Sequence, residues 1–259
     1  RRQRQMCIRD SSKKMQPDIK AIVVKEGNRN IINEAFRVLR SNMDFMANKD
    51  NKQNVFVITS FNPGSGKSFL SMNIAMSFAI KKKRILVIDG DLRHGSISSY
   101  VDSPQTGLSD YLGNRVDNYK DIIVEDKKYD NLHIIPIGTV PPNPTELLEN
   151  GKLAILIKVL GSEYDYIFID CPPIDIVADT QIIEKLADRT IFVIRSGLLD
   201  RSMLPELECI YQEKRFKNLS VILNGTESAG GRYGYHYGYR YGYHNGYSSY
   251  YGNGNRDGK

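Results

Sequence analysis

Apolar positions along this chain follow two different periods. Between residues 31 and 46 they recur every three to four positions, at Ile31, Ala35, Leu39, Met43 and Met46, the spacing of one face of an amphipathic helix. Downstream they come instead as short β-branched runs at 55–59, 85–88, 132–136, 166–169, 190–194 and 219–223. Runs that are apolar throughout, rather than alternating, suit strands covered on both faces by helices. The stretches between them keep a helical period. Residues 66–79 are expected to turn Leu70, Ile74 and Phe78 inward, and residues 202–213 to turn Leu204, Leu207 and Ile210 inward. The expectation is an α/β fold, a parallel sheet flanked by helices on both faces, whose ligands gather at the carboxyl ends of the strands.

The ends of the chain differ from this middle. Residues 1–10, RRQRQMCIRD, look like a translated sequencing adapter read in one frame and are set aside from the fold. Residues 11–28 are polar and mixed in charge, with one proline and no sustained apolar period, and read as a linker. The domain proper is expected over 29–226. Beyond it, residues 227–259 are almost only Gly, Tyr, Asn, His, Ser and Arg. A segment without aliphatic residues and rich in glycine cannot repay its ordering entropy, so a disordered tail is expected.

Composition changes this picture in two places. The net charge of +6 suggests nucleic-acid binding, but the four arginines and one aspartate of residues 1–10 supply half of it. The remaining +3 argues for no nucleic-acid partner. Without Cys7, only Cys171 and Cys209 remain, too few for a disulfide framework and without metal-ligand spacing, as in a reducing compartment. No run of eighteen apolar residues and no secretory signal occurs, so the fragment is expected to be soluble. What precedes Ser11 in the natural chain, a membrane segment included, is left open.

Residues 60–68 read SFNPGSGKS between a strand and a helix, the setting of a phosphate-binding P-loop. Gly64 and Gly66 let backbone N–H groups approach phosphate oxygens, and the helix that follows adds its dipole. Asn62, Pro63, Gly64, Ser65, Gly66, Lys67, Ser68 and Phe69 are the candidate ATP-binding residues. Lys67 would reach the β- and γ-phosphates, and the Ser68 hydroxyl would ligate Mg²⁺. The consensus glycine at the first position is replaced by Phe61, and Pro63 is expected to supply the turn instead.

Two acidic motifs close the strands beside this loop: ILVIDGDLR carries Asp89 and Asp91, and YIFIDCPP carries Asp170. Carboxylates there suit Mg²⁺, a hard cation that takes oxygen ligands and keeps several waters. Ser68, Asp89, Asp91 and Asp170 are the candidate metal ligands, and Lys67, Asp89 and Asp91 the candidate catalytic residues. One acid can hold the metal while another accepts the proton of an attacking hydroxyl.

The loop with Pro63, the DGDLR stretch from Asp89 to Arg93 and the DCPP stretch from Asp170 to Pro173 together resemble the Walker A, A′ and B motifs of bacterial tyrosine kinases. GLSDYL at 107–112, PPNPTELL at 141–148 and VILN ending in Asn224 agree, and the resemblance runs from about Asn33 to Tyr251. It implies a P-loop fold using ATP and Mg²⁺, with Asp89 meeting a tyrosine hydroxyl and Asn224, after the last strand, reading the adenine edge.

The same resemblance gives the appendages a meaning. Glu34, Arg37 and Arg40 form E-x-x-R-x-x-R opposite the apolar face, next to Val38 and Phe45. By itself that pattern suits a solvated charged face; in the family it resembles a contact that packs subunits head-to-tail into a ring. Nine of the sixteen tyrosines, Tyr233, Tyr235, Tyr237, Tyr239, Tyr241, Tyr243, Tyr247, Tyr250 and Tyr251, lie in the tail. Alone they read as a self-associating low-complexity segment; behind a kinase core they resemble phosphoacceptors.

The implied pathway is capsular or exopolysaccharide polymerisation and export at the cytoplasmic face of the membrane. Its implied partners are a membrane adaptor or fused transmembrane activator, the export machinery and a counteracting tyrosine phosphatase. Two other classes stay open. Positioning ATPases of chromosome partition and septum placement share the acidic motifs, but carry a signature lysine where this chain has Asn62. A nucleotide-controlled scaffold would bind ATP without transferring phosphate.

Overall fold

The computed structural model describes residues 5–9, 22–46, 54–174 and 178–226. In chain order the strands and α-helices are β1 (Gln5–Arg9), α1 (Ile31–Met46), β2 (Val55–Thr59), α2 (Lys67–Ala79), β3 (Ile85–Asp89), α3 (Leu108–Leu112), β4 (Val124–Glu125) and β5 (Leu132–Ile135). Then follow α4 (Pro144–Glu149), α5 (Lys152–Glu163), β6 (Tyr166–Asp170), α6 (Asp179–Glu184), β7 (Arg189–Arg195), α7 (Leu204–Gln212) and β8 (Ser220–Thr226). The strands form one sheet in the order β1-β8-β7-β2-β6-β3-β5-β4. All pairings are parallel except that of the two-residue edge strand β4 with β5.

The six strands expected from the apolar runs are all present, and β2, β3 and β6 are buried along their whole length. One cluster covers one face of the sheet, with Phe36, Leu39 and Met43 of α1 and Leu70, Ile74 and Phe78 of α2 on Phe56 and Phe168. A second covers the other face, with Leu153, Leu156 and Leu160 of α5 on Val57, Leu86 and Ile167. Each such side chain contributes about 1.5–3 kcal/mol of transfer free energy when fully buried.

Three helix faces differ from the periodic expectation. In α1 the buried residues are Asn33, Phe36, Leu39 and Met43, whereas Ile31 is 58% exposed. The cause is the Asn33 carboxamide, which accepts from the Lys25 N–H and donates to the Val23 carbonyl and to Asn30. A buried side chain with that many partners rotates the inward face onto itself. Helix α2 is buried on every side from Leu70 to Ala79, as a helix packed between sheet and helix must be. In α7, Leu207 and Ile210 are buried while Leu204 is exposed.

The stretch read as a linker is partly domain. Val23 and Val24 donate their N–H groups to the Asn73 Oδ1 of α2, and Val24 is buried. Backbone of residues 5–9, set aside above, lies as a parallel edge strand on β8. Residues 11–21 and the tail 227–259, with all nine candidate phosphoacceptor tyrosines, lie outside the described residues.

Candidate active site

The carboxyl ends of β2, β3, β6, β7 and β8 meet along one edge of the sheet, and the sequence motifs sit there. Strand β2 runs into the P-loop, whose left-handed Gly64 and Gly66 (φ +75° and +90°) turn the backbone into α2. The loop is braced internally: the Ser60 and Ser65 hydroxyls each donate to the Asn62 carbonyl at 2.8 Å. Phe61, at the place of the consensus glycine, is buried edge-on against Phe192 of β7, 4.8 Å between ring centroids. It anchors the loop to the core, a role the motif does not encode. Phe69, expected among the ATP-binding residues, turns its ring toward Phe36 of α1 at 6.3 Å and packs, partly buried, against the core.

Register brings the acids together. Asp89 and Asp170 end adjacent strands as direct partners. Gly90 follows in close approach: its N–H donates to the Asp170 carbonyl at 2.8 Å, and a Cβ would stand 2.9 Å from that oxygen. Asp170 is buried and accepts from the Ser68 hydroxyl at 2.5 Å and the Ser71 hydroxyl at 2.9 Å. Asp89 is buried too. Its Oδ2 accepts from the Ser98 N–H and hydroxyl, both at 2.7 Å, while Oδ1 has no partner.

Burial pushes both carboxyls up, Asp89 to about 7 with Asp170 adding to the effect, and Asp170 to about 6 against the hydrogen bond from Ser68 and the charge of Lys67. The Lys67 ammonium is moved the other way by burial, with Asp170 and Asp91 opposing. Burial disfavours each charged form, and the opposite charge nearby restores part of it.

Asp91 differs from the other two acids. Its carboxylate accepts from the N–H groups of Arg93 and His94 and lies 3.2 Å from His94 Nδ1. It caps its own loop, and its charge still reaches Lys67, Asp89 and Asp170. Among the described residues no three acidic, His or Cys side chains form a ready-made metal cage. The site still fits Mg²⁺. A buried carboxylate oxygen without a partner, Asp89 Oδ1, calls for a proton or a cation, and Ser68 and Asp170 supply hard oxygen beside the phosphate loop. Mg²⁺ commonly takes only one or two protein ligands and completes its shell with phosphate and water.

Asn224 lies within β8, not after it, as the register partner of Arg195 on β7. The two side chains reach the P-loop together: Arg195 Nη1 donates to the Gly64 carbonyl at 2.8 Å and Asn224 Nδ2 to the Ser65 carbonyl at 3.0 Å. Two consecutive loop carbonyls are thus held from one rung of the sheet. Arg195, Ser71 and Ser98 were not legible as site residues, since none belongs to a local motif. Arg93 makes a further tie, donating to Asp179 Oδ2 of α6 at 3.3 Å and to the Thr145 hydroxyl of α4 at 3.2 Å, while Thr145 donates to Asp179 Oδ1 at 2.7 Å. The DGDLR and PPNPTELL stretches meet there.

On α1, Glu34 and Arg37 pair with each other at the surface. Arg40 does not face solvent with them: its Nη1 donates to the Ser77 carbonyl of α2 at 2.6 Å. Val38 and Phe45 are 61% and 74% exposed, and with Ile31 they form a stripe at seven-residue spacing.

Residues 53–207 match the AAA domain family. The tyrosine-protein kinase CpsD of Streptococcus agalactiae is 36% identical over 203 residues, covering 78% of this chain and 85% of CpsD. The kinase domain of Escherichia coli tyrosine kinase ETK superposes with a TM-score of 0.76 at 27% identity, over 92% of this chain and 94% of that domain. The chimerical protein CapA2B2 gives 0.76 at 29% identity, over 87% and 95%. Likeness in sequence and fold over most of its length places the chain in the P-loop family of bacterial tyrosine-protein kinases.

Proposed function

We propose that this chain is a protein-tyrosine kinase that moves the γ-phosphoryl of ATP onto tyrosine hydroxyls, those of its own C-terminal segment first. Its pathway is the polymerisation and export of capsular or extracellular polysaccharide. The observation that carries the reading is the register pair of Asp89 and Asp170 beside the P-loop, one acid with both oxygens engaged and the other with one oxygen free. A positioning ATPase activates water and needs no phenol acceptor; the named relatives are tyrosine-protein kinases.

In this reading Lys67 and the loop N–H groups hold the β- and γ-phosphates. Ser68 and Asp170, with Asp91 at the mouth, would hold Mg²⁺, which when bound neutralises charge on the phosphates. The bond from the γ-phosphorus to the β-bridging oxygen breaks, a bond from that phosphorus to the tyrosyl oxygen forms, ADP leaves, and the phenol proton goes to Asp89. An ordinary carboxylate near 4 is about 8 kcal/mol too weak to take a proton from a phenol near 10; one raised to about 7 is only about 4 kcal/mol short. Burial therefore makes Asp89 the better base.

The outer stripe of α1, Ile31, Val38 and Phe45, is the surface proposed for head-to-tail assembly, with Glu34 and Arg37 at its flank. Arg40 would have to exchange Ser77 for a neighbouring subunit. No described helix is long and apolar enough to cross a membrane; attachment to the cytoplasmic face would come through a membrane adaptor or a fused activator. A tyrosine phosphatase would reset the tail. Each phosphate adds about −1.5 to −2 charges, and several on one tail would repel each other and the site acids, releasing the tail and loosening the ring.

The test is incubation of the chain without residues 1–10 with ATP and Mg²⁺, followed by intact and peptide mass spectrometry. Phosphate on several tyrosines between Tyr233 and Tyr251, absent in Lys67→Met, is expected. ATP consumption with an unmodified tail would move the positioning-ATPase reading ahead.

A further inference from the structure

We infer that Ser98 is a positioning residue for phosphoryl transfer: it divides the Asp89 carboxylate into one oxygen held by the protein and one presented to the site. Ser98 opens the short 3₁₀ turn after β3 (Ser98–Val101) and lies nine residues beyond Asp89. Its side chain is buried, and its hydroxyl has an unambiguous direction. The Ser98 Oγ accepts from the Ile137 N–H at 2.8 Å, so its own proton points to Asp89 Oδ2 at 2.7 Å. The Ser98 N–H reaches the same oxygen at 2.7 Å.

Two donors on Oδ2 leave that oxygen unable to carry a proton or meet a ligand. Oδ1 is buried and has no partner, and is then the carboxylate oxygen left without a donor. Without the hydroxyl only the Ser98 N–H still holds Oδ2, the carboxylate turns more freely about its χ2, a broad torsion with no deep staggered well, and the aim of Oδ1 loosens. The link also runs onward: Ile137 follows β5, and the next two residues are Gly138 and Thr139, whose N–H caps Asp110 of α3 at 3.1 Å. Asp89 is thereby aligned with a loop on the far side of its own strand.

This inference rests on the reading of Asp89 as the group that meets the tyrosine hydroxyl, and the experiment separates the two. Ser98→Ala, Ser98→Cys, Ser98→Thr and Asp89→Asn are compared for phosphotyrosine formation by mass spectrometry and for MgADP affinity by calorimetry, which needs no turnover. Ser98→Ala and Ser98→Cys are expected to lower kcat about 10- to 100-fold, the loss of one hydrogen bond to a charged group. KM for ATP and the affinity for MgADP should stay within about twofold, because the effect is confined to the transfer step. Ser98→Thr, which restores the hydroxyl, should recover most of the rate.

Cysteine keeps the volume of serine but is a weak donor, so it distinguishes the hydrogen bond from packing. A Ser98→Cys variant as fast as the parent, or a Ser98→Thr variant as slow as Ser98→Ala, overturns the role of Ser98. If Asp89→Asn itself transfers phosphate at the parent rate, the assignment of Asp89 is what fails, and the inference falls with it.

Discussion

Asn224 Nδ2 donates to the Ser65 carbonyl at 3.0 Å and stands 2.4 Å from where a Cβ on Gly66 would begin. Strand β8, paired on both sides, thus presses on the P-loop, and the contact exists because residue 66 has no side chain. Gly66 also sits at φ +90°, outside what an L side chain adopts without strain. Gly66→Ala is expected to weaken nucleotide binding at least about tenfold, since strain of about 1–2 kcal/mol adds to the clash. Adding Asn224→Ala removes the clash but not the strain, so the double variant should recover only in part. Titration with a fluorescent ADP analogue measures both; full recovery would mean that backbone strain at Gly66 costs nothing.

Phe61 presents the opposite case, a departure from the P-loop consensus that the core requires. Phe61→Gly restores the consensus letter yet removes a ring packed on Phe192 and grouped with Leu207, Ile210 and Phe216. A loss of about 3–5 kcal/mol is expected from the cavity and the lost contacts, and more if the added freedom of glycine is counted. Urea unfolding measures it. Unchanged stability would show that the loop does not depend on this anchor.

The Arg93–Asp179 pair should behave as a buried charge with one exposed partner. Asp179 is fully buried, and Arg93 and Thr145 are its side-chain partners. Arg93→Ala leaves the carboxylate without a cation and is expected to cost about 2–4 kcal/mol. The further change Asp179→Asn removes the stranded charge and should return part of it. In a double-mutant cycle by urea unfolding, strictly additive effects would deny the coupling.

Asp110 gives stability an acid limb. Burial would raise its carboxyl, but the Thr139 N–H, the Arg115 guanidinium and the Gly107 N–H outweigh it and hold it below its ordinary value. A carboxyl lower in the folded than in the unfolded state contributes stability in full above the unfolded value, near about 4, and loses it as pH falls through the folded value. Asp110→Asn should therefore be less stable than the parent at pH 7, by about 1–3 kcal/mol. The gap should close on acidification below about pH 4, as read from urea midpoints. A gap independent of pH would mean that the charge of Asp110 contributes nothing.

Much of this protein was legible in the amino-acid order because its signals are local. An uninterrupted apolar run makes a buried strand wherever it is placed, and all six runs became strands. Gly64, Gly66, Lys67 and Ser68 lie within five residues, and a strand on one side with a helix on the other is enough to make them a phosphate loop. Asp89 and Asp170 end strands because their own motifs do.

Tertiary structure decided whatever depends on partners far along the chain. Ser98 and Ile137 are 39 residues apart, and Arg195 and Gly64 are 131; no period or spacing records such a bond, because the sheet order that creates it is a property of the packed whole. The same holds for the inward face of α1, which a period places only to within a turn and the hydrogen bonds of Asn33 set outright. It holds for Phe61, whose consensus position speaks of phosphate while its surroundings on β7 and α7 require a ring. Local periodicity sets which elements form; their long-range register sets which atoms of those elements are left free to react.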